Sequence, residues 1–377
     1  MVKKAFVYGV SVAGENFTDR TRETQRLKMD FENGQNVILL SPRRMGKTSL
    51  VQKVMQEVDA GSVKVIYMDI YDCKSDIDFY RKFATEILRA TSNKADLVLE
   101  NAKRFLSSLV PQISFSPSPD SSLSFSIGLN QKDVEKPEEI LNLPERIAAE
   151  MGKHIVVCID EFQQIGEVPD SLTLQKKMRS VWQLQQHVSY CLFGSKKHML
   201  HRLFKDKRMP FYQFGDTIEL DVIPTDDWVS FIVQKFMDKN IAITAVQAER
   251  ICTSVRNYSS YVQQLAWNVM LFCGSEVTDA VIDDAIDETI RQNSALYQEQ
   301  IKDLSSYQMN FLRAIGQGVH TGFTAKETLE KFHLGAKSNV ARLHTSLIEK
   351  ELVESKNNML YFMDPVFELW FVRECMY

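Results

Sequence analysis

The segment Ser41-Pro42-Arg43-Arg44-Met45-Gly46-Lys47-Thr48 joins two stretches of opposite character. Residues 36–40 (NVILL), before it, form a short apolar run typical of a β-strand that is covered on both faces. Residues 47–58, after it, have a helical pattern that Gly61 closes. A polar turn between a buried strand and a helix, ending in Gly-Lys-Thr, is the context in which phosphate-binding loops occur. The segment therefore predicts such a loop within an α/β domain.

Each residue type in this loop has a physical role in holding phosphate. Main-chain N–H groups of the loop and the helix N-terminus point at anionic oxygens. Gly46 lets the backbone approach without a Cβ, Lys47 places a charge between β- and γ-phosphates, and Thr48 offers a hydroxyl to Mg²⁺. The predicted phosphate-binding residues are Pro42, Arg43, Arg44, Met45, Gly46, Lys47, Thr48 and Ser49.

Ser41 departs from the usual G-x-x-x-x-G-K-[ST] pattern, because it stands where the first glycine is expected. If the turn needed a positive φ at this position, serine would cost about 1 kcal/mol there. The main-chain donors of the loop remain, so we expect phosphate binding to be intact.

Two adjacent acids follow a second apolar run. Residues 155–159 (IVVCI) read as a buried strand, and Asp160 and Glu161 come directly after it. We expect Asp160 to hold the Mg²⁺ shell together with Thr48, and Glu161 to polarise an attacking water as a general base. The alternative is a strand end with two solvated acids. The phosphate-binding loop earlier in the chain favours the functional interpretation.

Further candidates lie at and before the end of the next strand. Ser195, in Phe193-Gly194-Ser195, is placed to sense a γ-phosphate; the alternative is a simple Gly-Ser turn. Arg179, on the preceding helix, is a candidate for stabilising charge in phosphoryl transfer, as are Arg43 and Arg44 of the loop; the alternative for each is a surface charge. The predicted catalytic residues are thus Lys47, Glu161, Arg179 and Ser195.

Strand and helix patterns alternate through residues 1–222, which predicts a parallel, three-layer α/β sheet whose fifth strand spans 218–222. Residues 91–143 interrupt this rhythm with a helix at 95–109 and two alternating stretches around SPSPDSS. Those stretches predict a β-hairpin insertion; the alternative is a mobile Ser/Pro loop.

The strand pattern ends near Pro224. Residues 223–302 predict a small all-helical domain whose helices begin near Thr225, Thr244, Ser259 and Thr278. Residues 303–377 predict three helices, the second capped by Thr324 and Glu327, followed by two strands around Lys356-Asn357-Asn358. This order is the winged helix-turn-helix pattern.

Composition excludes several classes of protein. The 377 residues carry a formal net charge of −4, so the chain is not a polycation that coats nucleic acid. The apolar runs are too short to span a bilayer, and the N-terminus is a poor match to a signal peptide. We therefore expect a cytoplasmic protein without membrane contact, with buried free thiols. Its cysteines show no zinc-finger spacing and are Cys73, Cys158, Cys191, Cys252, Cys273 and Cys375.

Five motifs together resemble the archaeal-type P-loop ATPase family, part of the STAND group related to AAA+ proteins. They are SPRRMGKTSL (41–50), IDEFQ (159–163), LFGS (192–195), FTDR (17–20), similar to the family's F-x-[GD]-R, and DPVFELWF (364–371), similar to its D-P-x-x-x-x-W tail. The resemblance spans nearly the whole chain. It implies a P-loop NTPase sheet of the additional-strand type, with the strand that ends at Phe193 between the two motif strands. It also implies a helical lid, a C-terminal winged helix, ATP as ligand and slow hydrolysis in a regulatory switch.

One departure from the family pattern lies in the predicted lid. Relatives often carry a Gly/His-x-Pro turn that helps the lid sense nucleotide. Here Asn257-Tyr258-Ser259-Ser260-Tyr261 stands at that turn, with Ser260 in the proline's place. The departure bears on how the lid is coupled to the nucleotide.

Three functions follow from these observations. The leading one is a switch driven by Mg²⁺-ATP. The second is a nucleotide-binding scaffold with little turnover, which waits for an arginine from a protein partner or from self-association. The third is an ATP-regulated DNA-binding regulator, in which Lys337, Asn339, Arg342 and His344 would face a groove. Charge does not favour DNA binding, because seven Lys/Arg and seven Asp/Glu balance over residues 303–364.

Overall fold

The computed structural model describes residues 4–91, 112–117, 123–128 and 137–376. The chain forms two compact units. The first, here called the sheet unit, contains Arg20–Arg43 and Lys47–Leu220. The second, here called the helical unit, contains Met1–Asp19, Arg44–Gly46 and Asp221–Tyr377. The loop segment 41–48 is therefore divided between the two units.

The sheet unit alternates strands and helices, as the sequence predicted. In chain order its elements are α1 (Thr21–Glu32), β1 (Val37–Leu40), α2 (Lys47–Glu57), β2 (Val63–Asp69), α3 (Asp76–Thr91), β3 (Gln112–Pro117), β4 (Leu123–Gly128), α4 (Pro137–Leu141), α5 (Leu143–Met151), β5 (His154–Asp160), α6 (Ser171–Trp182), β6 (Val188–Phe193), α7 (Lys197–Lys205) and β7 (Asp216–Glu219). A short 3₁₀ helix, Phe162–Gly166, follows β5.

Five of these strands form one parallel sheet in the order β2-β5-β6-β1-β7. This confirms that β6 lies between β1 and β5, the strands that precede the loop and carry the acid pair. β1 and β6 are buried along their whole length, and the continuous apolar runs of the sequence reflect that environment. All of these strands point the same way, so the residues that follow them collect at one edge of the sheet.

Helices cover the sheet on both faces. The chain moves one way along the sheet from β1 to β2 and then reverses direction through β5, β6 and β7. Because βαβ crossovers are right-handed, α2 is placed on the face opposite to the helices that come later. Residues of α3 to α7, such as Phe83, Trp182 and Phe204, form one apolar core with Ile155 and Leu192 of the sheet. The three-layer α/β architecture is confirmed.

β3 and β4 pair antiparallel, with Ile113 opposite Ile127 and Phe115 opposite Phe125. The predicted hairpin is therefore confirmed for these two strands. The predicted helix at 95–109 and most of the predicted turn, residues 118–122, lie outside the described residues. The fifth sheet strand was placed too late in the sequence: β7 spans Asp216–Glu219, because it pairs from its first residue with Val37 of β1.

The helical unit contains a short 3₁₀ helix, Gly14–Asn16, near its start. Its other elements are α8 (Thr225–Met237), α9 (Ala245–Ser254), α10 (Ser259–Phe272), α11 (Asp279–Ile301), α12 (Ser306–Gly316), α13 (Lys326–Lys331), α14 (Lys337–Glu349), β8 (Val353–Lys356), β9 (Met359–Phe362) and α15 (Pro365–Glu374). Thr244 and Gln247 form the predicted capping box of α9, and Thr278 caps α11. The predicted cap at Thr324 is wrong: α13 starts one residue later than that cap requires, with Ala325 at the N-cap and no side-chain cap bond.

One apolar core holds the helical unit together. The ring of Tyr297 on α11 lies 5.3 Å from that of Phe367 and 5.6 Å from that of Trp370, both on α15, measured between ring centres. Trp370 Nε1 also donates a hydrogen bond to Ser294 Oγ (3.0 Å). The predicted lid and winged helix thus share one core, and their division at residue 302 stays a prediction. No helix within the described ranges has the length and hydropathy needed to cross a bilayer.

Candidate active site

The side chain of Lys47 lies inside the curve of the loop. It is the first residue of α2, and its side chain is buried. Its Nζ donates hydrogen bonds to Ser41 O (3.0 Å), Ser41 Oγ (3.0 Å) and Pro42 O (2.8 Å). A buried ammonium needs such acceptors to offset the loss of water. The positive charge at the centre of the loop is therefore held in place by three hydrogen bonds to oxygen atoms of Ser41 and Pro42.

Ser41 does not carry the strain that its position had suggested. Arg44 (φ +68) and Gly46 (φ +87) are the residues of the loop in the left-handed region, and Ser41 is not among the described residues with positive φ. The expected conformational cost of serine therefore does not arise. Its hydroxyl instead accepts from Lys47 and donates to Pro42 O (3.0 Å), contacts that a glycine could not make.

Asp160, the last residue of β5, is 7% exposed and hydrogen-bonded on both carboxylate oxygens. Its Oδ2 accepts from Thr48 Oγ1 (2.8 Å) and from Tyr67 OH (3.0 Å), and its Oδ1 accepts from Glu161 N (2.8 Å). Burial raises the pKa of Asp160, while the donors from Thr48, Glu161 N and Tyr67 oppose that rise. The carboxylate is thus held in one orientation beside the first turn of α2.

Sequence reasoning missed Tyr67. It lies on β2, opposite Cys158 of β5 and two residues before Asp69, which pairs with Asp160. Burial, followed by the charge of Asp160, raises the pKa of Tyr67, so the phenol remains a neutral donor to the carboxylate. Only the strand register, which the sequence did not give, reveals the contact.

Thr48 and Asp160 carry oxygen atoms of the kind that Mg²⁺ prefers as ligands. The metal typically takes one or two carboxylates from the protein and completes its shell with water and substrate phosphates. The hydroxyl and the carboxylate lie within 2.8 Å of each other, so the residues present fit such an ion. No group of three or more His, Cys, Asp or Glu side chains suited to a metal occurs in the part of the chain that the structure describes.

The structure also brings together Glu161 and Ser195. Ser195 Oγ donates to Glu161 Oε2 (2.9 Å), and the same oxygen accepts from Gln163 Nε2. Glu161 itself has φ +56, a left-handed conformation at the junction of β5 and the 3₁₀ helix. Ser195 thus contacts the candidate base; its predicted role as a phosphate sensor stays a prediction.

Arg179 lies at the edge of the sheet where the strands begin, opposite to the edge that carries Lys47 and Asp160. Its guanidinium is 4.9 Å from the centre of the Phe214 ring, and Phe214 O accepts from Asn36 Nδ2 (3.5 Å) just before β1 begins. Arg179 is in the last turn of α6, which runs antiparallel to the strands and therefore ends at their amino-terminal edge. The structure does not bring this arginine together with Lys47 and Asp160, which lie at the carboxyl edge.

The middle of the loop belongs to the helical unit. Arg44 Nη1 lies 2.8 Å from Asp364 Oδ2, and its guanidinium is 4.5 Å from the centre of the Tyr261 ring. Arg44 O accepts from Ser260 N (3.2 Å), and Met45 is buried in the core of this unit. The Ser260 departure therefore supplies an N–H that a proline could not.

The carboxylate of Asp364, the first residue of the tail motif, contacts Arg44 and several other groups. Its Oδ1 caps α15 by accepting from Val366 N (2.9 Å) and Phe367 N (3.1 Å), and its Oδ2 accepts from Tyr261 OH. Burial raises the pKa of Asp364, and the charge of Arg44 opposes this. Arg43 and Arg44 are both exposed, whereas Pro42 and Ser49 are buried.

A glycine-lysine-threonine loop follows β1, an acid pair stands at the end of β5, and β6 lies between these two strands. Together these features define a P-loop NTPase of the additional-strand class. Residues 17–248 match the family described as an ATPase domain predominantly from Archaea, and residues 295–373 match a probable winged helix domain. The chain belongs to this archaeal-type ATPase family. It is thus an ATP-binding ATPase with a C-terminal winged helix domain.

Solved structures share this fold. The Walker-type ATPase PABY2304 of Pyrococcus abyssi gives a TM-score of 0.69 at 17% identity, over 98% of this chain and 100% of that one. The ORC2 protein of Aeropyrum pernix in its ADPNP-ADP complexes gives 0.57 at 14% identity, over 95% of each chain. Its ADP form gives 0.54 at 13% identity, over 96% of each chain. No curated protein sequence matches the chain.

Proposed function

We propose that this protein is a Mg²⁺-dependent ATPase that hydrolyses ATP to ADP and phosphate and acts as a regulatory switch of the STAND type. One observation carries the proposal. The first turn of α2, with Lys47 and Thr48, meets the end of β5, with Asp160 and Glu161, through the hydrogen bond from Thr48 to Asp160. The residues proposed to bind phosphate, to hold Mg²⁺ and to act as the base thus lie at one edge of the sheet.

Lys47 would bind the phosphates by exchanging its present hydrogen-bond acceptors in the loop for phosphate oxygens. Its Nζ now donates to Ser41 O, Ser41 Oγ and Pro42 O, and phosphate oxygens are stronger acceptors for an ammonium than neutral carbonyls. Release of these contacts would let the charge stabilise the β- and γ-phosphate oxygens as the bond between them breaks. When bound, Mg²⁺, held by Thr48 and Asp160, would neutralise phosphate charge.

Glu161 would act as the general base. A water molecule attacks the γ-phosphorus, one of its protons passes to the Glu161 carboxylate, and the bond to the β–γ bridging oxygen breaks to leave ADP. The hydrogen bonds from Ser195 and Gln163 to Glu161 Oε2 hold the carboxylate at the strand end. Positioning of this kind is what the chemistry needs, since phosphoryl transfer depends mainly on placement and electrostatics.

The surroundings of Arg44 support the switch. This residue lies within the phosphate-binding segment, yet its side chain pairs with Asp364 of the tail motif and its carbonyl accepts from Ser260 of α10. A loop that rearranges around a triphosphate would change these contacts. Nucleotide state would then bias the conformation of the helical unit, which is what a switch requires.

Phosphate release from ATP, measured with and without Mg²⁺, tests the proposal. We expect metal-dependent turnover that falls by about 10²- to 10⁴-fold in Glu161→Gln, the usual range for loss of a general base, with ATP binding unchanged. Wild-type turnover in Glu161→Gln would rule out Glu161 as the base. Absence of ATP binding at millimolar nucleotide would overturn the proposal itself.

A second candidate is a nucleotide-binding scaffold with little turnover of its own. The position of Arg179 at the amino-terminal edge of the sheet favours it, because the arginine predicted from the α6 segment does not reach the loop. A second subunit would then supply the arginine. Turnover per molecule that rises steeply with protein concentration supports this candidate, and a rate unaffected by dilution argues against it.

A further inference from the structure

We propose that Gln163 is a positioning residue for ATP hydrolysis, which fixes the carboxylate of Glu161 together with Ser195. The inference rests on the proposed function of Glu161 as the base. Gln163 belongs to the 3₁₀ helix Phe162–Gly166, directly after the acid pair, and is 2% exposed. Its Nε2 donates to Glu161 Oε2, the oxygen that also accepts from Ser195 Oγ (2.9 Å).

Packing alone does not explain the amide group of Gln163. Its Oε1 is buried and has no hydrogen-bond partner within the described part of the chain. A buried acceptor without a partner lowers stability, and an apolar side chain of the same size would avoid that loss. The amide group is therefore explained by what its Nε2 does, which is to hold Glu161.

The end of β6 is shaped around this amide. A Cβ added to Gly194 would lie 1.9 Å from Gln163 Oε1, 3.0 Å from Gln163 Cδ and 3.1 Å from Glu161 Cα. Gly194 does not have a positive φ, so backbone conformation does not account for the glycine. The space that it leaves is the space that the Gln163 side chain fills on its way to Glu161.

The two donors determine which oxygen of Glu161 does the chemistry. Gln163 Nε2 and Ser195 Oγ both bind Oε2, so Oε1 is the oxygen that would accept the proton from the attacking water. The two contacts come from different segments of the chain, one from the 3₁₀ helix after β5 and one from the turn after β6. Loss of either lets the carboxylate rotate away from one productive orientation, which affects the chemical step and not the binding of ATP.

The test replaces Gln163 by leucine, which is close in volume and removes the donor. We expect kcat to fall by roughly 10-fold, a part of what a well-placed base contributes, while KM for ATP and the affinity for a fluorescent ATP analogue change by less than about 2-fold. The matched control is Gln175→Leu. Gln175 on α6 is 1% exposed and has an equally unpartnered Oε1, but its Nε2 donates to Ser171 Oγ (2.8 Å) and not to Glu161. The Gln175→Leu variant should leave kcat unchanged.

A double variant separates positioning from general structure. If Gln163 acts through Glu161, Gln163→Leu causes no further loss of kcat in a Glu161→Gln background. Two outcomes overturn the role of Gln163 and leave the proposed function standing. One is an equal loss of kcat in both backgrounds. The other is a wild-type kcat for Gln163→Leu when Glu161→Gln is inactive. Full activity of Glu161→Gln refutes the base itself. Should Gln163→Leu fold poorly, Gln163→Met, which is unbranched and flexible, answers the same question.

Discussion

The hydroxyl of Thr48 lies 2.8 Å from Asp160 Oδ2, although 112 positions separate the two residues in the chain. The contact exists because β1 and β5 are parallel and only β6 lies between them, so that the helix after β1 begins beside the end of β5. It joins the phosphate-binding loop to the acid pair. The site therefore depends on strand order as much as on its motifs.

Removal of the Thr48 hydroxyl should weaken the use of Mg²⁺. In Thr48→Val the shape of the side chain is kept, while one proposed metal ligand and one donor to Asp160 are lost. We expect the Mg²⁺ concentration for half-maximal phosphate release to rise by roughly 10-fold or more. Mutation of a group that orients a metal ligand typically reduces metal affinity by this amount. Thr48→Ser keeps the hydroxyl and is the control. Equal Mg²⁺ dependence of Thr48→Val and Thr48→Ser would contradict the assignment.

The Asp364 side chain should restrain Arg44. Asp364→Asn removes the negative charge opposite Arg44, and asparagine still serves as an N-cap for α15. The loop then gains one uncompensated positive charge, so we expect ATP affinity to rise about 2- to 5-fold at low salt and less at high salt. Equilibrium titration with a fluorescent ATP analogue at two ionic strengths measures this.

Glu368→Gln is the matched control for Asp364→Asn. Glu368 forms an ion pair with Arg256 (3.3 Å) in the same helical unit, and its exposure is similar to that of Asp364. It does not involve the loop, so ATP affinity should stay at the wild-type value. If both substitutions change affinity alike, the effect comes from total charge and not from Arg44.

Ser260→Pro should uncouple α10 from the loop. The substitution removes the N–H that donates to Arg44 O (3.2 Å), and proline is tolerated in the first turn of a helix. We expect ATP affinity to fall about 2- to 10-fold, the equivalent of one neutral hydrogen bond, with little change in thermal stability. Ser260→Ala keeps the N–H and should bind ATP like the wild type. Reduced affinity in Ser260→Ala would show that the hydroxyl, and not the N–H, matters.

Stability should decrease on acidification because of His154. Burial lowers the pKa of this residue below its ordinary value of 6.5 in the folded state, where Nε2 lies 2.9 Å from Ser189 Oγ. The unfolded chain therefore takes up a proton that the folded chain does not, and stability is lost as pH falls below about 6.5. The lost amount is at most about 1.4 kcal/mol for each unit of pKa difference.

Chemical denaturation between pH 8 and pH 5 measures this dependence. His154→Gln removes the titrating ring and should flatten the decrease in the free energy of unfolding. His333→Gln, at an exposed position in the helical unit, should keep the wild-type slope. A wild-type slope in His154→Gln would assign the pH dependence to other groups.

Local patterns in the sequence predicted the elements and the chemistry that depends on them. The apolar runs before Ser41 and Asp160 and the caps at Thr244 and Thr278 are local features, and these were found where expected. The cap predicted at Thr324 was not, because α13 begins one residue later. Tyr67 and Arg179 show where this reasoning ends. The contact of Tyr67 with Asp160 depends on strand register, and the distance of Arg179 from the loop depends on how far α6 runs along the sheet.

The long-range contacts of the loop could not be predicted for the same reason. Ser41 looked costly because its φ was unknown, and the structure shows a hydroxyl that serves Lys47. Gln163 was visible only as one letter of a motif, and its burial beside Gly194 gives it a role. Arg44 and Asp364 lie at opposite ends of the chain, so their ion pair requires the folded helical unit.

ATP binding by Lys47→Ala tests the central claim most directly, because Lys47 provides the positive charge at the centre of the loop. Titration of the purified protein with a fluorescent ATP analogue should show saturable binding that Lys47→Ala abolishes. Lys53→Ala, on the same helix α2 but paired with Glu57, should bind like the wild type. Binding of Lys47→Ala with wild-type affinity would contradict the claim that the loop from Ser41 to Thr48 holds the triphosphate.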